Sequence, residues 1–255
     1  MANIVPVKKE QHQNLKVSTK RNLAHAANQH IVPVNAHEFS QAATSYPVVF
    51  IKDPDTGVYR SVIMLGLEAG ENLFYQNEIW SALYVPQSVG MVPFALGLDP
   101  EKEKTLTTCI DLDSPFVGED KEQSLFDEKG EHTDFFKNVE DSLGRLYNNE
   151  VASEQFTKLM LEHDLLQELE LQMAFASGEK KKLVGLFTIN EKRLSELSDE
   201  QVLDFHKRGL FVPIYSMLSS IGQINRLIQL RNDQSENKIS GIQIQTVNAE
   251  AEVTA

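Results

Sequence analysis

The chain is short of the residues that usually announce a chemistry. It has one cysteine, Cys109, among its 255 residues. That excludes an internal disulfide and a cluster of cysteine metal ligands. It has one tryptophan, Trp80. It lacks an apolar run long enough to cross a bilayer, since the stretch from Val89 to Leu98 is broken by Pro93, so no membrane span is expected. Positive charge is scarce. There are 24 Lys and Arg against 37 Asp and Glu, a net charge of −13. The shortage falls on residues 61–255, because residues 1–60 carry a small basic excess that includes Lys8, Lys9, Lys16, Lys20 and Arg21. An acidic body repels a phosphate backbone, so no nucleic-acid partner is expected. The phosphate-binding loop, the dinucleotide glycine fingerprint, the nucleophile elbow, the paired-histidine zinc motif and C-x-x-C are all missing. The first thirty residues hold no apolar core of a signal peptide, and the expected address is the cytoplasm.

What remains is an ordinary supply of core-forming residues, 41% hydrophobic. Tyr46 to Ile51 is β-branched and aromatic and stops at Asp53-Pro54-Asp55-Thr56-Gly57, where Pro fixes φ and Gly tolerates φ > 0. Val58 to Leu67 resumes the pattern, so 47–67 reads as a hairpin. Leu73-Phe74-Tyr75, Ala82 to Val85, Met91 to Leu98 and Thr105 to Asp111 read as further extended pieces. Residues 113–131 read as an acidic loop. Phe135, Phe136, Val139, Leu143, Leu146 and Tyr147 then recur at helical spacing, and a second helix is expected from about Ser153 to Leu166. Leu169, Leu171, Met173 and Phe175 alternate with polar neighbours, and 168–189 reads as a second hairpin. Three helices are expected after it. Ser198 to Gln201 has the form of a capping box, and Pro213 suits the first position of the last helix.

The expected fold class is α+β: a mainly antiparallel, β-rich N-terminal half packed with a helical C-terminal half that contains one β-hairpin. The expected organisation is a flexible arm over 1–21, one domain over 22–230 and a disordered tail over 231–255. Within the domain, 22–112 is β-rich, 113–131 is the acidic loop, and 132–230 is helical with the hairpin. Ile242, Ile244 and Thr246 nevertheless share one side of an extended chain, as a strand added to a partner's sheet would.

Several short runs together resemble the SapC family of bacterial proteins. They are Ser45-Tyr46-Pro47-Val48-Val49-Phe50, Leu65-Gly66-Leu67, Gly70-Glu71-Asn72-Leu73-Phe74, Trp80, Tyr84-Val85-Pro86, Pro93-Phe94, Asp113-Ser114-Pro115 and Leu125-Phe126-Asp127. The stretch from Gly185 to Leu230 belongs with them. The resemblance covers about residues 22 to 230. It brings no established catalytic residue. The family name links it to bacterial surface layers. Genes of the family often lie beside those for TonB-dependent receptors and flavin-dependent halogenase-like proteins. The resemblance therefore implies a place in surface modification or outer-membrane uptake, by association.

Candidate site residues are few. Phe74, Trp80, Tyr84 and Phe94 form an aromatic-rich region between prolines, and they are read either as a ligand groove or as core. His132-Thr133-Asp134 has the H-x-D form of non-haem iron oxygenases, which also need a distal imidazole such as His163 or His206. The simpler reading makes Thr133 a helix cap and Asp134 a charge at the helix's positive end. The window Asp111 to Glu122 fails as a calcium loop because Pro115 and Phe116 stand where a ligand and Gly are needed. No metal site and no cofactor is expected. The expected function is that of a non-catalytic cytoplasmic accessory protein that binds a protein or peptide partner. The alternatives are a metal-dependent enzyme, with iron at His132 and Asp134, and a surface-layer component exported without a signal peptide.

Overall fold

The computed structural model describes residues 3–20, 22–99, 102 and 105–247. The fold is α+β, and all its strand pairs are antiparallel. Its residues gather into two compact units. One holds Met1–Ala24 and Gln87–Asn148, the other His25–Pro86 and Asn149–Ala255. This differs from the single domain over 22–230 that the sequence suggests. The helix Asp134–Glu162 supplies residues to both units.

The first unit is built on two small three-stranded sheets. Ile4–Pro6 pairs with Leu106–Asp111, which pairs in turn with Phe94–Leu98. Lys16–Val17 sits between Val117–Gly118 and Gln123–Ser124. Both sheets recruit residues from the N-terminal segment that the sequence presents as a loose arm. Its own apolar side chains explain this. Val17 is fully buried with Phe94, Ile110, Leu125, Phe126, Phe136 and Leu143, and Val5, Val7 and Leu15 pack against that cluster. The acidic loop also takes part, because Leu125 and Phe126 are core residues.

The second unit is organised by a six-stranded sheet. In spatial order its strands are Ile239–Val247, Leu166–Phe175, Lys180–Ile189, Val48–Lys52, Tyr59–Met64 and Ile31–Pro33. Both expected hairpins are present, and Phe187 pairs with Phe50 to join them. The helices of this unit bury Phe205, Ile214, Met217, Ile224 and Leu227 completely, and Phe211–Ser220 packs on the strands Lys180–Ile189 and Val48–Lys52. Ser220 completes one such contact, because its hydroxyl accepts from the Val48 amide at 2.8 Å and donates to the Met217 carbonyl at 2.6 Å.

The helices depart from expectation in three places. Asp134–Glu162 is one helix of 29 residues, where the apolar pattern suggests two. The polar stretch around Asn148-Asn149-Glu150 interrupts the stripe without breaking the backbone. Hydroxyls of Ser153 and Thr157 bond back to carbonyls one turn earlier, at 2.7 and 2.8 Å. Among the described residues, four helices follow the second hairpin instead of three. Phe211–Ser220 and Ile224–Gln234 are separated by the tight turn Ile221–Gln223, and Pro213 is the third residue of its helix. Finally, residues 231–247 are not a disordered tail: the helix continues to Gln234 and Ile239–Val247 is a nine-residue strand. Residues 248–255 of that expected tail lie outside the described residues.

Candidate functional site

The sharpest local construction in the second unit surrounds the loop from Tyr75 to Val85. Its stem is a minimal hairpin, with Tyr75 opposite Trp80 and Gln76 opposite Ile79. The two turn residues, Asn77 and Glu78, have φ of 49° and 64°. Paired left-handed residues are what a two-residue turn of the type that suits right-twisted strands requires. Asn accepts this conformation readily, whereas Glu pays a steric cost for it.

Behind the hairpin, Tyr46, Phe74, Trp80, Tyr84 and Glu38 form one connected network. Tyr46 is fully buried and stands edge-on to Phe74, with ring centroids 4.7 Å apart. The Trp80 indole N–H donates to the Tyr46 hydroxyl at 2.8 Å. That hydroxyl donates to the backbone carbonyl of Tyr84. The Tyr84 hydroxyl in turn donates to Glu38. Glu38 is 1% exposed. Its other oxygen accepts from the Asn35 amide at 3.1 Å within a capping box, so the carboxylate is anchored to backbone. Burial holds the Tyr46 phenol far above its ordinary range despite the Trp80 hydrogen bond. Burial and then the Glu38 hydrogen bond do the same for Tyr84. Both phenols therefore keep their protons and act as donors throughout the physiological range. The segment before the hairpin is tied down too. Asn72 donates to the Ala26 carbonyl at 2.7 Å and accepts from the Phe74 amide at 3.0 Å.

The loop held in this way presents apolar residues to solvent. Ile79 is 66% exposed and Leu83 is 96% exposed. A single exposed aliphatic residue is ordinary. Two on one short loop, each next to a half-buried, hydrogen-bonded residue (Trp80 or Tyr84), form an anchored apolar projection.

The four aromatic candidates therefore divide. Phe74, Trp80 and Tyr84 converge on Tyr46, Phe74 and Trp80 by direct contact and Tyr84 through its carbonyl. Phe94 belongs to the core of the other compact unit, 6.1 Å from Phe136 and 6.3 Å from Phe135 between ring centroids. Tyr46 and Glu38 are the members that sequence reasoning missed. In the sequence Tyr46 stands out as part of an expected strand and of a family-like run, and Glu38 has no local pattern that marks it. Only the folded chain brings them to residues 38 and 46 positions away.

His132 and Asp134 do not meet. His132 Nδ1 lies 2.9 Å from Glu140 Oε2, and its ring packs against Phe126 and Phe136. The Asp134 side chain is fully exposed and pairs loosely with Lys137 at 3.9 Å. Thr133 does cap the helix, accepting from the Phe136 amide at 3.2 Å. His163 is engaged by Gln201 at 3.2 Å and by the edge of Phe205. Among the described residues, no group of three or more His, Cys, Asp or Glu side chains is placed to hold a metal ion. Among the same residues, no helix is long and apolar enough to cross a membrane.

Two further features belong to the six-stranded sheet. An open cavity of about 480 Å³ lies over Gln172, Ala174, Lys180, Lys182, Gly241 and Gln243. Lys182 is paired with Glu170 at 2.5 Å, so part of its positive charge is already answered. On the neighbouring register positions, Arg231 binds both Glu71 and Glu68, and Lys181 binds Glu68 at 2.8 Å. Both cations lie over the Phe175 ring. Lys181 draws the Glu68 carboxyl below its ordinary range, aided by Arg231. This network locks the segment 66–72 onto the helix Ile224–Gln234.

The resemblance read from the sequence has a direct counterpart in the SapC family model, which matches residues 7–227. The chain belongs to the SapC family. The match covers parts of both compact units and the whole Tyr46 network, and it leaves out the strands Ile4–Pro6 and Ile239–Val247. No curated protein and no solved structure matches the chain.

Proposed function

We propose that this SapC-family chain is a non-catalytic accessory protein of the bacterial cytoplasm, which docks a protein or peptide partner on the loop from Tyr75 to Val85. The observation that supports this reading is the pairing of exposure with hydrogen-bonded anchoring. Leu83 and Ile79 stand in solvent, while Trp80 and Tyr84, beside them in sequence, are held by Tyr46 and Glu38. A surface that is already ordered loses little conformational freedom on binding. Exposed apolar side chains on such a surface gain when a partner covers them. The complementary partner offers a small apolar recess. The association of the family with surface layers and uptake receptors supports a partner from such a pathway. The non-convergence of His132 and Asp134 removes the motive for an iron enzyme at that pair.

Isothermal titration of the chain against the products of its neighbouring genes tests the proposal. One of them should bind, and Leu83→Asp or Ile79→Asp should weaken binding by about tenfold or more without changing the melting temperature. Binding to none of them, together with turnover of a small molecule, would overturn it.

A further inference from the structure

The two edges of the six-stranded sheet are built differently. One edge is Ile31–Pro33, three residues long and ended by proline, as protected sheet edges commonly are. The other is Ile239–Val247, nine residues long, without a proline and without a charged side chain. Ser240 stands at a bulge against the inner neighbour, and Gly241 to Val247 then pair in unbroken register with Ala174 to Glu168. Every residue from Gly241 to Val247 is exposed except the half-buried Ile242. Among the described residues no strand pairs with the outer side of this strand, so from Gly241 to Val247 it offers a row of backbone donors and acceptors, a template for one more strand.

We propose that a second copy of this chain supplies that strand, so that two sheets join edge to edge about a two-fold axis at Gln243. The strand's own sequence argues for this occupant. Two identical antiparallel strands related by an axis perpendicular to the sheet must pair residues of the same face. With Gln243 opposite its own copy, Ile242 falls opposite Ile244, and Gly241 opposite Gln245. Farther out, the bulge at Ser240 turns Ile239 to the opposite face from Val247, and Asn232 already holds both backbone groups of Ile239, so the paired stretch runs from Gly241 to Gln245. Apolar residues meet apolar residues, and polar residues meet polar or small ones. Sliding the register by two residues toward Val247 sets Ile242 opposite Thr246, and sliding it the other way shortens the paired stretch to residues 241–243. Charge points the same way. Each copy carries a net charge of −13, and this strand brings none of it to the contact. The surface is separate from the Tyr75–Val85 loop, and the inference does not rest on the function proposed for that loop.

A single pair of strands buries an area at the small end of specific interfaces, so the dimer should dissociate in about the micromolar range. Sedimentation velocity on the full chain across that range tests the proposal. The wild-type chain should pass from monomer to dimer. Gln243→Lys alone and Gln243→Glu alone each set like charges opposite one another at the axis. Each should weaken the dimer at least about tenfold with an unchanged circular dichroism spectrum. An equimolar mixture of the two variants pairs opposite charges, and it should restore the dimer. A wild-type chain that stays monomeric throughout would overturn the proposal. So would a dimer that the single variants leave intact, or a mixture that stays as weak as its components.

Discussion

The Tyr46 hydroxyl shows how much one atom can organise. It accepts from Trp80 and donates to the Tyr84 backbone. Tyr46→Phe removes it and leaves the half-buried Trp80 N–H and the Tyr84 carbonyl without their partner, which should cost about 1–3 kcal/mol in urea unfolding. Trp80 is the only tryptophan. Its emission should therefore shift in the same variant and report on this site alone. The phenols also set an alkaline limit. Both have folded pKa values raised above the unfolded value, by burial first in each case. Their contribution is complete below the unfolded value of about 10 and is lost as pH rises beyond it. Melting temperature should fall above about pH 10, and the fall should be shallower in a Tyr46→Phe, Tyr84→Phe double variant. A slope unchanged in that variant would place the alkaline sensitivity elsewhere. In the hairpin turn, Glu78 has a φ of 64°. Glu78→Gly should stabilise the chain by about 1 kcal/mol, because glycine adopts that backbone without the steric cost. A destabilised Glu78→Gly variant would show that the turn's conformation is not a burden on the fold.

Among the elements, contacts distant in sequence decide the outcome. Asn232 makes a reciprocal pair with Ile239. Its amide donates to the Ile239 carbonyl at 3.0 Å, and its oxygen accepts from the Ile239 N–H at 2.7 Å. Asn232→Ala should therefore destabilise by about 1–2 kcal/mol and raise hydrogen exchange in the strand Ile239–Val247. Gly66 marks a second joint. A β-carbon there would come within 2.2 Å of the Glu71 carbonyl oxygen. Gly66→Ala must displace backbone, and a loss of about 1–3 kcal/mol is expected by thermal melting. These joints also explain what could be read beforehand. The two hairpins were legible because alternation and turn residues lie next to one another in the chain. The capping box at Ser198 was legible for the same reason. The strand Ile239–Val247 showed its alternation, but its partner lies some seventy residues earlier, and no local pattern names a partner. Ile4–Pro6 was hidden in the same way, since it pairs with Leu106–Asp111. In the candidate site, three of the four aromatic residues proved to be neighbours, while Glu38 and Tyr46 carried no signal of their role.

For the molecule as a whole, two compact units each close around their own apolar side chains, and the acidic surplus is left at the surface. A net charge of −13 should prevent retention on duplex DNA even at low salt, where electrostatic binding is strongest. A mobility-shift titration that shows binding would contradict that reading. The docking role proposed for the loop from Tyr75 to Val85 requires that the folded chain hold it before any partner arrives. Amide hydrogen exchange of the full chain without a partner tests it most directly. The Ser81 amide, bonded to the Phe74 carbonyl at 2.8 Å, should exchange slowly in the wild-type chain and much faster in Tyr46→Phe. Exchange of that amide at the rate of an unfolded peptide in the wild-type chain would show that the loop is not held, and the account built on it would fail.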